Sequence, residues 1–436
     1  MTEPSDSVAI VGGGFSGAML AARLAEAGRS STLINRTGEF GLGVAYSTPF
    51  DGHLLNVRSG RMSALAHRPD DFVGWLRASY PALADPNGFA PRRLFGLYVQ
   101  SRLAAVEAAR PGLIRKVVGD VEAIIPRGVR LADGEMIAAE AVVLTTGNPA
   151  PRTAGATEAA GPVVPDPWAA GALDRIGTGD DIVVIGTGLT MVDVLLALDA
   201  RGWRGRATAV SRRGLLPRGH AVRPEVPLTP TPDLLAGPLS HRLGEARRLA
   251  DDGCWRGVIE GLRPITANLW IEADLRTRGQ IVRHLRPWWD VHRHRVAPAV
   301  ARVIQGLREA GRLEVLAGRV GTVSSDAEGV RLASSPRQGP ARAPLAGRWL
   351  IDCTGPGHAP QADPLTMPLL ASGRARLDPL RLGLDLDPHG RVLNAAGVAD
   401  PHLYVLGPPA RAAFWETIAV PDIRKRIEDV VVALSA

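Results

Sequence analysis

Cysteine and lysine are scarce in this chain of 436 residues, and aromatic side chains make up only 5% of it. The two cysteines, Cys254 and Cys353, lie far apart and form no C-x-x-C pair. This argues against a dithiol redox enzyme and against a disulfide-built secreted domain. Lys116 and Lys425 are the only lysines, so the net charge of +7 and the pI of about 10.1 rest on arginine. Those arginines are interspersed with acids and make no basic stripe interleaved with aromatics, so no nucleic-acid partner is expected. An anionic cofactor or substrate accounts for local arginine clusters more economically. No apolar run reaches the roughly 18 residues of a membrane span. The short acidic start "MTEPSDS" is unlike a signal peptide, so a cytoplasmic location is the default expectation. Walker-type loops, zinc spacings and a G-x-S-x-G elbow are missing as well. "HRHR" (His292 to Arg295) offers no metal site, because residues i and i+2 on a helix point apart.

What is present is the make-up of an ordinary soluble enzyme, 45% hydrophobic and 22% charged. The length predicts two domains. "VAIVGGGFSGAMLAARLAEAG" reads as a doubly buried strand, a glycine turn and a helix, with "STLINR" as the next strand. Gly12, Gly14 and Gly17 fit G-x-G-x-x-G in the strand-turn-helix context that the fingerprint requires. The first permits the turn, the second lets a pyrophosphate approach the backbone, and the third lets helix pack on strand. Gly12, Gly14, Phe15, Ser16 and Gly17 are therefore candidate phosphate-binding residues at a helix N-terminus. Asn35 stands where an acid usually holds the ribose, with Glu39 or a backbone group as the alternative.

"DIVVIGTGLTMVDVLLAL" repeats the pattern. Gly186 and Gly188 match the first two glycines, Met191 stands at the third, and Leu189 and Thr190 complete the candidate phosphate site. On the following strand Arg212 and Arg213 suit a 2′-phosphate, which favours NADPH over NADH; an exposed arginine pair is the plainer reading. Two turns with different ribose-end chemistry imply two nucleotides, FAD at the first and NADPH at the second. A β-meander follows each turn, Arg115 to Gly147 and Leu313 to Gly355. Both contain "GVRLA" and end in Thr-Gly, which suggests a duplicated plan. Between them lies a stretch of helical periodicity with four tryptophans (Trp255, Trp270, Trp288, Trp289). It reads either as an insertion with a tryptophan core or as a lid that excludes water.

"VAIVGGGFSG", "GLGVAYSTPFDGHLLNVRSGRMSAL", "PDPW", "VVIGTGLTMVDV", "SRRGLLPR", "HLRPWWDVHRHR", "LIDCTGP" and "LYVLGPPARAAFWETIAVPDIR" together resemble the bacterial FAD/NAD(P)-binding family of YdhS-like proteins. More distantly the chain resembles flavin-containing and N-hydroxylating monooxygenases. The resemblance implies an α/β fold with two Rossmann-like domains. The FAD domain would be split (1–160 and 341–436) around an NADPH domain (161–340) with a helical insertion at about 232–310. It implies that Asn35 and Arg36 face the adenosine ribose. It adds His53, Asn56, Met62, Ser63, Val121, Thr146, Gly147, Asn148, Gly407 and Pro408 to the FAD contacts. Pro408 replaces the usual Asp of a Gly-Asp pair, and Asp166 of "PDPW" replaces a signature His. The expected activity is NADPH-driven oxygenation of a small molecule through a flavin hydroperoxide. A dehydrogenase or reductase, or a flavin-binding redox sensor or interaction protein, is the alternative. Candidates for catalysis or the substrate pocket are His53, Asn56, His220, Trp415 and the Trp288–Trp289 pair.

Overall fold

Each glycine turn opens its own parallel sheet. The computed structural model describes residues 7–148, 161–251, 255–326, 328–337, 340–355 and 360–435; Cys254 lies outside them. In the first unit β1 (Val8–Val11) is buried at every residue and leads through Gly12 into α1 (Phe15–Glu26) and then β2 (Ser31–Asn35). After α2 (Arg92–Ala109) come β3 (Ile114–Val118), β4 (Val121–Ile125), β5 (Gly128–Leu131), β6 (Met136–Ala138) and β7 (Ala141–Leu144). The second unit begins with β8 (Val163–Val164), β9 (Ile182–Ile185), α3 (Leu189–Ala200) and β10 (Ala207–Ser211). The helical stretch then includes α4 (Thr266–Glu272), α5 (Arg286–Arg293) and α6 (Pro298–Glu309). Strands β11 (Leu313–Ser325), β12 (Val330–Pro336), β13 (Leu345–Gly347) and β14 (Trp349–Asp352) follow, then β15 (Arg391–Leu393), β16 (Ala399–Val405) and α7 (Val420–Ser435).

The first sheet has the order β15-β16-β7-β1-β2-β3, so the C-terminal strands return to the N-terminal unit. Helix α1 lies between α2 and α7, with Met19, Leu20, Phe95, Tyr98, Ile427 and Val430 all at most 1% exposed in one core. Burying each such side chain stabilises by roughly 1.5–3 kcal/mol. The second sheet runs β13-β12-β11-β10-β9-β14-β8. This corrects the boundary expected at 341. Strands β13 and β14 belong to the second sheet, because β14 pairs in parallel with β9, and the chain returns to the first sheet only afterwards. The helical insertion is also shorter than expected. Helix α6 packs with α3 in the core of the second unit and is the crossover between the parallel neighbours β10 and β11, so the insertion ends before Pro298.

The repeated "GVRLA" has a physical cause. Gly128 and Gly329 sit at φ 148° and 149°, and a Cβ would meet the carbonyl oxygen of Ile137 at 2.2 Å in one and of Gly347 at 2.3 Å in the other. Both glycines enter an antiparallel meander where only bare backbone fits. The copies differ in one respect. In the first unit the chain breaks between β3 and β4, whereas in the second the corresponding path is the single thirteen-residue strand β11, parallel to β10 and then antiparallel to β12.

Candidate cofactor sites and the junction between them

At the first turn Gly12 has φ 113°, and a Cβ there would lie 2.4 Å from the Thr145 carbonyl oxygen. A Cβ on Gly17 would lie 2.0 Å from the Gly12 carbonyl oxygen, so this glycine lets α1 rest on the strand. Gly14 differs, since its Cβ would meet only Gly43 Cα at an ordinary 3.6 Å. The fold does not demand Gly14, and the missing side chain leaves room for a ligand to approach the backbone closely. Helix α1 has neither a side-chain cap nor an acid in its first turn, which leaves its amides and partial positive charge for an anion. Thr145, absent from the predicted set, steadies the turn by donating from Oγ1 to the carbonyls of Val11 (3.1 Å) and Gly12 (2.7 Å).

The ribose-end residues gather beside this turn. The Asn35 side chain backs onto Gly13 and donates to Thr37 Oγ1 (3.2 Å) and to the Glu39 carbonyl (3.0 Å). Arg36 is exposed, 4.0 Å from Asp120, and the Gly119 amide bonds the Asn35 carbonyl, which brings Val121 alongside. The Val121 side chain is buried in the core, so it has only backbone to offer a nucleotide. Thr146, Gly147 and Asn148 follow β7 at the same sheet end, and Gly147 has φ 73° with open space at its Cβ position. Gly407, at φ 83°, abuts Ser16 of α1, where a Cβ would meet Oγ at 2.7 Å. Thr417 Oγ1 donates to the Gly407 carbonyl at 2.9 Å.

The second turn repeats this frame. Gly186 has φ 102°, a Cβ there would lie 2.2 Å from the Cys353 carbonyl oxygen, and Gly188 faces open space. Helix α3 again has no side-chain cap and no acid in its first turn. Met191 is fully buried at the position that Gly17 holds in the first turn. Leu189 and Thr190 are half-buried in the first helical turn. Arg212 is exposed just beyond β10, and Arg213 lies 5.9 Å from the Trp288 ring centre. Burial pushes the Cys353 thiol well up, so it is an inert core residue.

Between the turns the two units lock together. Asp193 of α3, 5% exposed, receives Arg92 in a bidentate pair, Nη1 to Oδ2 at 2.8 Å and Nη2 to Oδ1 at 3.1 Å. His53 Nε2 lies 3.0 Å from the Asp193 carbonyl oxygen and Nδ1 lies 2.7 Å from Thr48 Oγ1. Nε2 therefore donates and Nδ1 accepts, and burial lowers the ring's pKa so that it stays neutral. His53 is thus a fastening between units rather than a flavin-facing group, because both nitrogens are committed. His220 is held likewise. Its Nε2 meets the Asn56 carbonyl at 3.0 Å, and burial pushes its pKa down to about 3. The half-buried Asn56 contributes that carbonyl. Met62 is buried, and the Ser63 hydroxyl closes its own turn on the carbonyls of Leu65 and Arg68. Asp166 caps Trp168, whose ring meets His53 edge-on at 5.9 Å.

Trp415 is a genuine backbone outlier, with φ 54° on a bulky, 3% exposed residue. It stacks on Trp270 of α4 at 4.5 Å, and Trp270 Nε1 donates to the Ala412 carbonyl at 2.9 Å. The insertion of the second unit thereby docks on the C-terminal segment of the first. Trp289 adds a bond to Glu416 Oε1 at 2.8 Å, while Trp288 remains 44% exposed. Sequence reasoning missed Arg92, Thr48, Glu416 and the docking role of Trp270. Thr48 and Glu416 lie in stretches that carry the family resemblance, but nothing there marks them as fastenings beyond the charge of Glu416 inside an apolar stretch. Among the described residues no cluster of metal-binding side chains exists, and no helix is long and apolar enough to cross a membrane.

Residues 9–149 match the FAD-NAD(P)-binding family model. This segment carries the first turn, Asn35, Val121 and the strand ending at Thr145. The whole chain resembles the ornithine N-hydroxylase of Kutzneria sp. 744 with reduced FAD, NADP+ and L-orn, with a TM-score of 0.68, 17% identity and 99% of each chain covered. L-lysine 6-monooxygenase from Pseudomonas syringae gives 0.65 at 17% identity, with 99% of each chain covered. Thioredoxin reductase of Lactococcus lactis gives 0.55 at 12% identity, also with 99% of each covered. At these identities the likeness is one of fold, two dinucleotide-binding units in one chain. No curated protein matches the sequence significantly.

The residues present fit two dinucleotides. Gly14 and Gly188 leave space that a Cβ would narrow, in front of helix ends that no side chain caps.

Proposed function

We propose that the protein is an FAD-dependent, NADPH-oxidising oxidoreductase that oxygenates a small molecule, with N-hydroxylation or a related oxygenation as the reaction. The observation that carries this reading is the pair of bare, uncapped glycine turns with different ribose ends, Asn35 at one and Arg212–Arg213 at the other. FAD at the first turn supplies hydride acceptance and oxygen chemistry when bound. The chain's own residues do the rest. The amides of α1 and α3 hold the two pyrophosphates, Arg212 and Arg213 select the 2′-phosphate, and the Arg92–Asp193 pair fixes the α3 turn against the first unit. The docked insertion, through Trp270 on Trp415, excludes water from the C-terminal side of the first turn. Likeness in fold to the ornithine and lysine N-oxygenating enzymes supports oxygenation over simple reduction. A dithiol reductase is disfavoured by the buried, inert Cys353 and the absence of a C-x-x-C pair.

Purified protein should be yellow and should oxidise NADPH. With its substrate, one oxygenated product should form per NADPH consumed. Hydrogen peroxide as the sole oxygen product would move the assignment to a dehydrogenase or reductase, and protein that cannot be reconstituted with FAD would sink both. Arg212→Ala with Arg213→Ala should raise the KM for NADPH at least tenfold while leaving that for NADH within twofold. Equal losses would refute the 2′-phosphate role.

A further inference from the structure

The docking of the insertion on the C-terminal segment buries a charge cluster that is out of balance. Arg61, Arg263, Arg286, Arg293, Arg295 and Arg411 converge there, against Glu260, Asp290, Glu416 and Asp422. Each acid has an arginine nitrogen within 4.0 Å. Glu416 faces Arg293 Nε at 3.1 Å, Asp422 faces Arg293 Nη2 at 3.6 Å, and Asp290 faces Arg411 Nη2 at 3.6 Å. Glu260 is shared by Arg61 at 2.6 Å, Arg295, and Arg263 at 4.0 Å. Arginine donors are left over. Among the described residues Arg263 Nη2, Arg293 Nε and Nη2, Arg295 Nε and Arg411 Nε are buried without a hydrogen bond, and so are the acid oxygens Asp290 Oδ1, Glu416 Oε2 and Asp422 Oδ2, so donors outnumber acceptors. Arg295 is 3% exposed, so its surplus charge is held out of water, where an uncompensated ion is costly. The field is felt by His294, whose pKa is driven well down by burial and then by Arg293, Arg411, Arg263 and Arg286.

We propose that this junction is the recognition site for a small substrate carrying two negative charges, as two carboxylates or one phosphate group. Two more arginines than acids surround the site, and a dianion restores neutrality among them while supplying acceptors for the arginine donors left over. The site lies beside the first turn, because Thr417, next to Glu416, is tied to Gly407, which abuts Ser16 of α1. Arg61, with 48% of its side chain exposed, stands at the rim as the entry. The inference rests on the oxidoreductase reading, since it names that enzyme's substrate class.

Calorimetric titration of the purified protein with succinate, inorganic phosphate and neutral succinamide tests it without requiring turnover, while flavin content and NADPH oxidation are scored separately. A colourless protein that still binds a dianion would damage the oxidoreductase reading alone. A yellow, NADPH-oxidising protein that binds none would overturn the substrate class alone. Succinate or phosphate should bind at least tenfold more tightly than succinamide, and whichever is the tighter identifies the dicarboxylate or phosphate arm. Arg263→Gln and Arg411→Gln should weaken the dianion at least tenfold, and Arg130→Ala on β5, which pairs with Glu122 at the surface, should leave it within twofold. Should the buried variants not fold, Arg61→Gln at the exposed rim should weaken binding at least threefold. Unchanged affinity in that variant, or equal binding of succinamide, overturns the proposal.

Discussion

Replacing Arg92 with Met tests whether the two units are fastened through Asp193. The side chains of Arg92 and Asp193 are 15% and 7% exposed, and they share hydrogen bonds of 2.8 and 3.1 Å. Arg92 Nε also donates to the Leu54 carbonyl at 3.1 Å. Removing the guanidinium strands a buried carboxylate, which costs about 3–5 kcal/mol. At a urea slope of about 3 kcal/mol/M this lowers the unfolding midpoint by roughly 1–2 M. Arg92→Met with Asp193→Leu removes both charges and should recover most of the loss, to within about 1 kcal/mol of the wild type. The assay is urea unfolding followed by tryptophan fluorescence, carried round the double-mutant cycle. A single-variant loss under about 1 kcal/mol, or losses that simply add, would refute the fastening, because coupled partners must be non-additive.

Three further outcomes follow from the same geometry. Gly14→Ala should lose FAD while its FAD-free form melts like the FAD-free wild type, since the fold leaves room for its Cβ, whereas Gly17→Ala should lose at least about 2 kcal/mol of stability by meeting the Gly12 carbonyl; thermal melts of the FAD-free proteins and flavin absorbance separate the two. His220 has a folded pKa of about 3 against an ordinary value of 6.5, so the unfolded chain binds the extra proton between those limits and stability falls as pH drops from 6.5 towards 3. Over that window His220→Gln should flatten the urea-midpoint slope by up to about 1.4 kcal/mol per pH unit, and an unchanged slope would count against a neutral His220. Trp270→Ala removes the stack on Trp415 and should cost about 3–5 kcal/mol, with increased protease cleavage in the insertion as the independent readout.

The glycine turns were legible because their causes are local. A strand, a positive φ and a helix start occupy a dozen consecutive residues, so both parallel sheets could be foreseen. The second meander was visible for the same reason, since Gly128 and Gly329 each answer a clash with a carbonyl close by in sequence. What stayed hidden depends on distant partners. Arg92 and Asp193 are 101 positions apart, and Trp289 and Glu416 are 127 apart, so nothing in either neighbourhood announces the pairing. The internal partners of His53 and Ser63 stayed hidden for a related reason. Polar residues in a glycine-containing loop look like ligand contacts, but once buried they must satisfy themselves, and here they do so on Asp193, Thr48, Leu65 and Arg68. The boundary expected at 341 cuts through the second meander, Leu313 to Gly355, and the pairing of β14 with β9 keeps the end of that meander in the second sheet.

The unbroken strand β11 gives the second unit a support that the first lacks. Its outer half holds the surface hairpin partner β12, and its inner half lies against the loop after β10, where a Cβ on Gly214 would meet the Ala317 amide at 3.1 Å. In the first unit the break between β3 and β4 sets the small sheet apart from the parallel one. In the second, one continuous strand, its register shifting between Val320 and Val323, joins the outer hairpin to the core sheet, so the hairpin and the segment that carries Arg212 and Arg213 rest on the same backbone support.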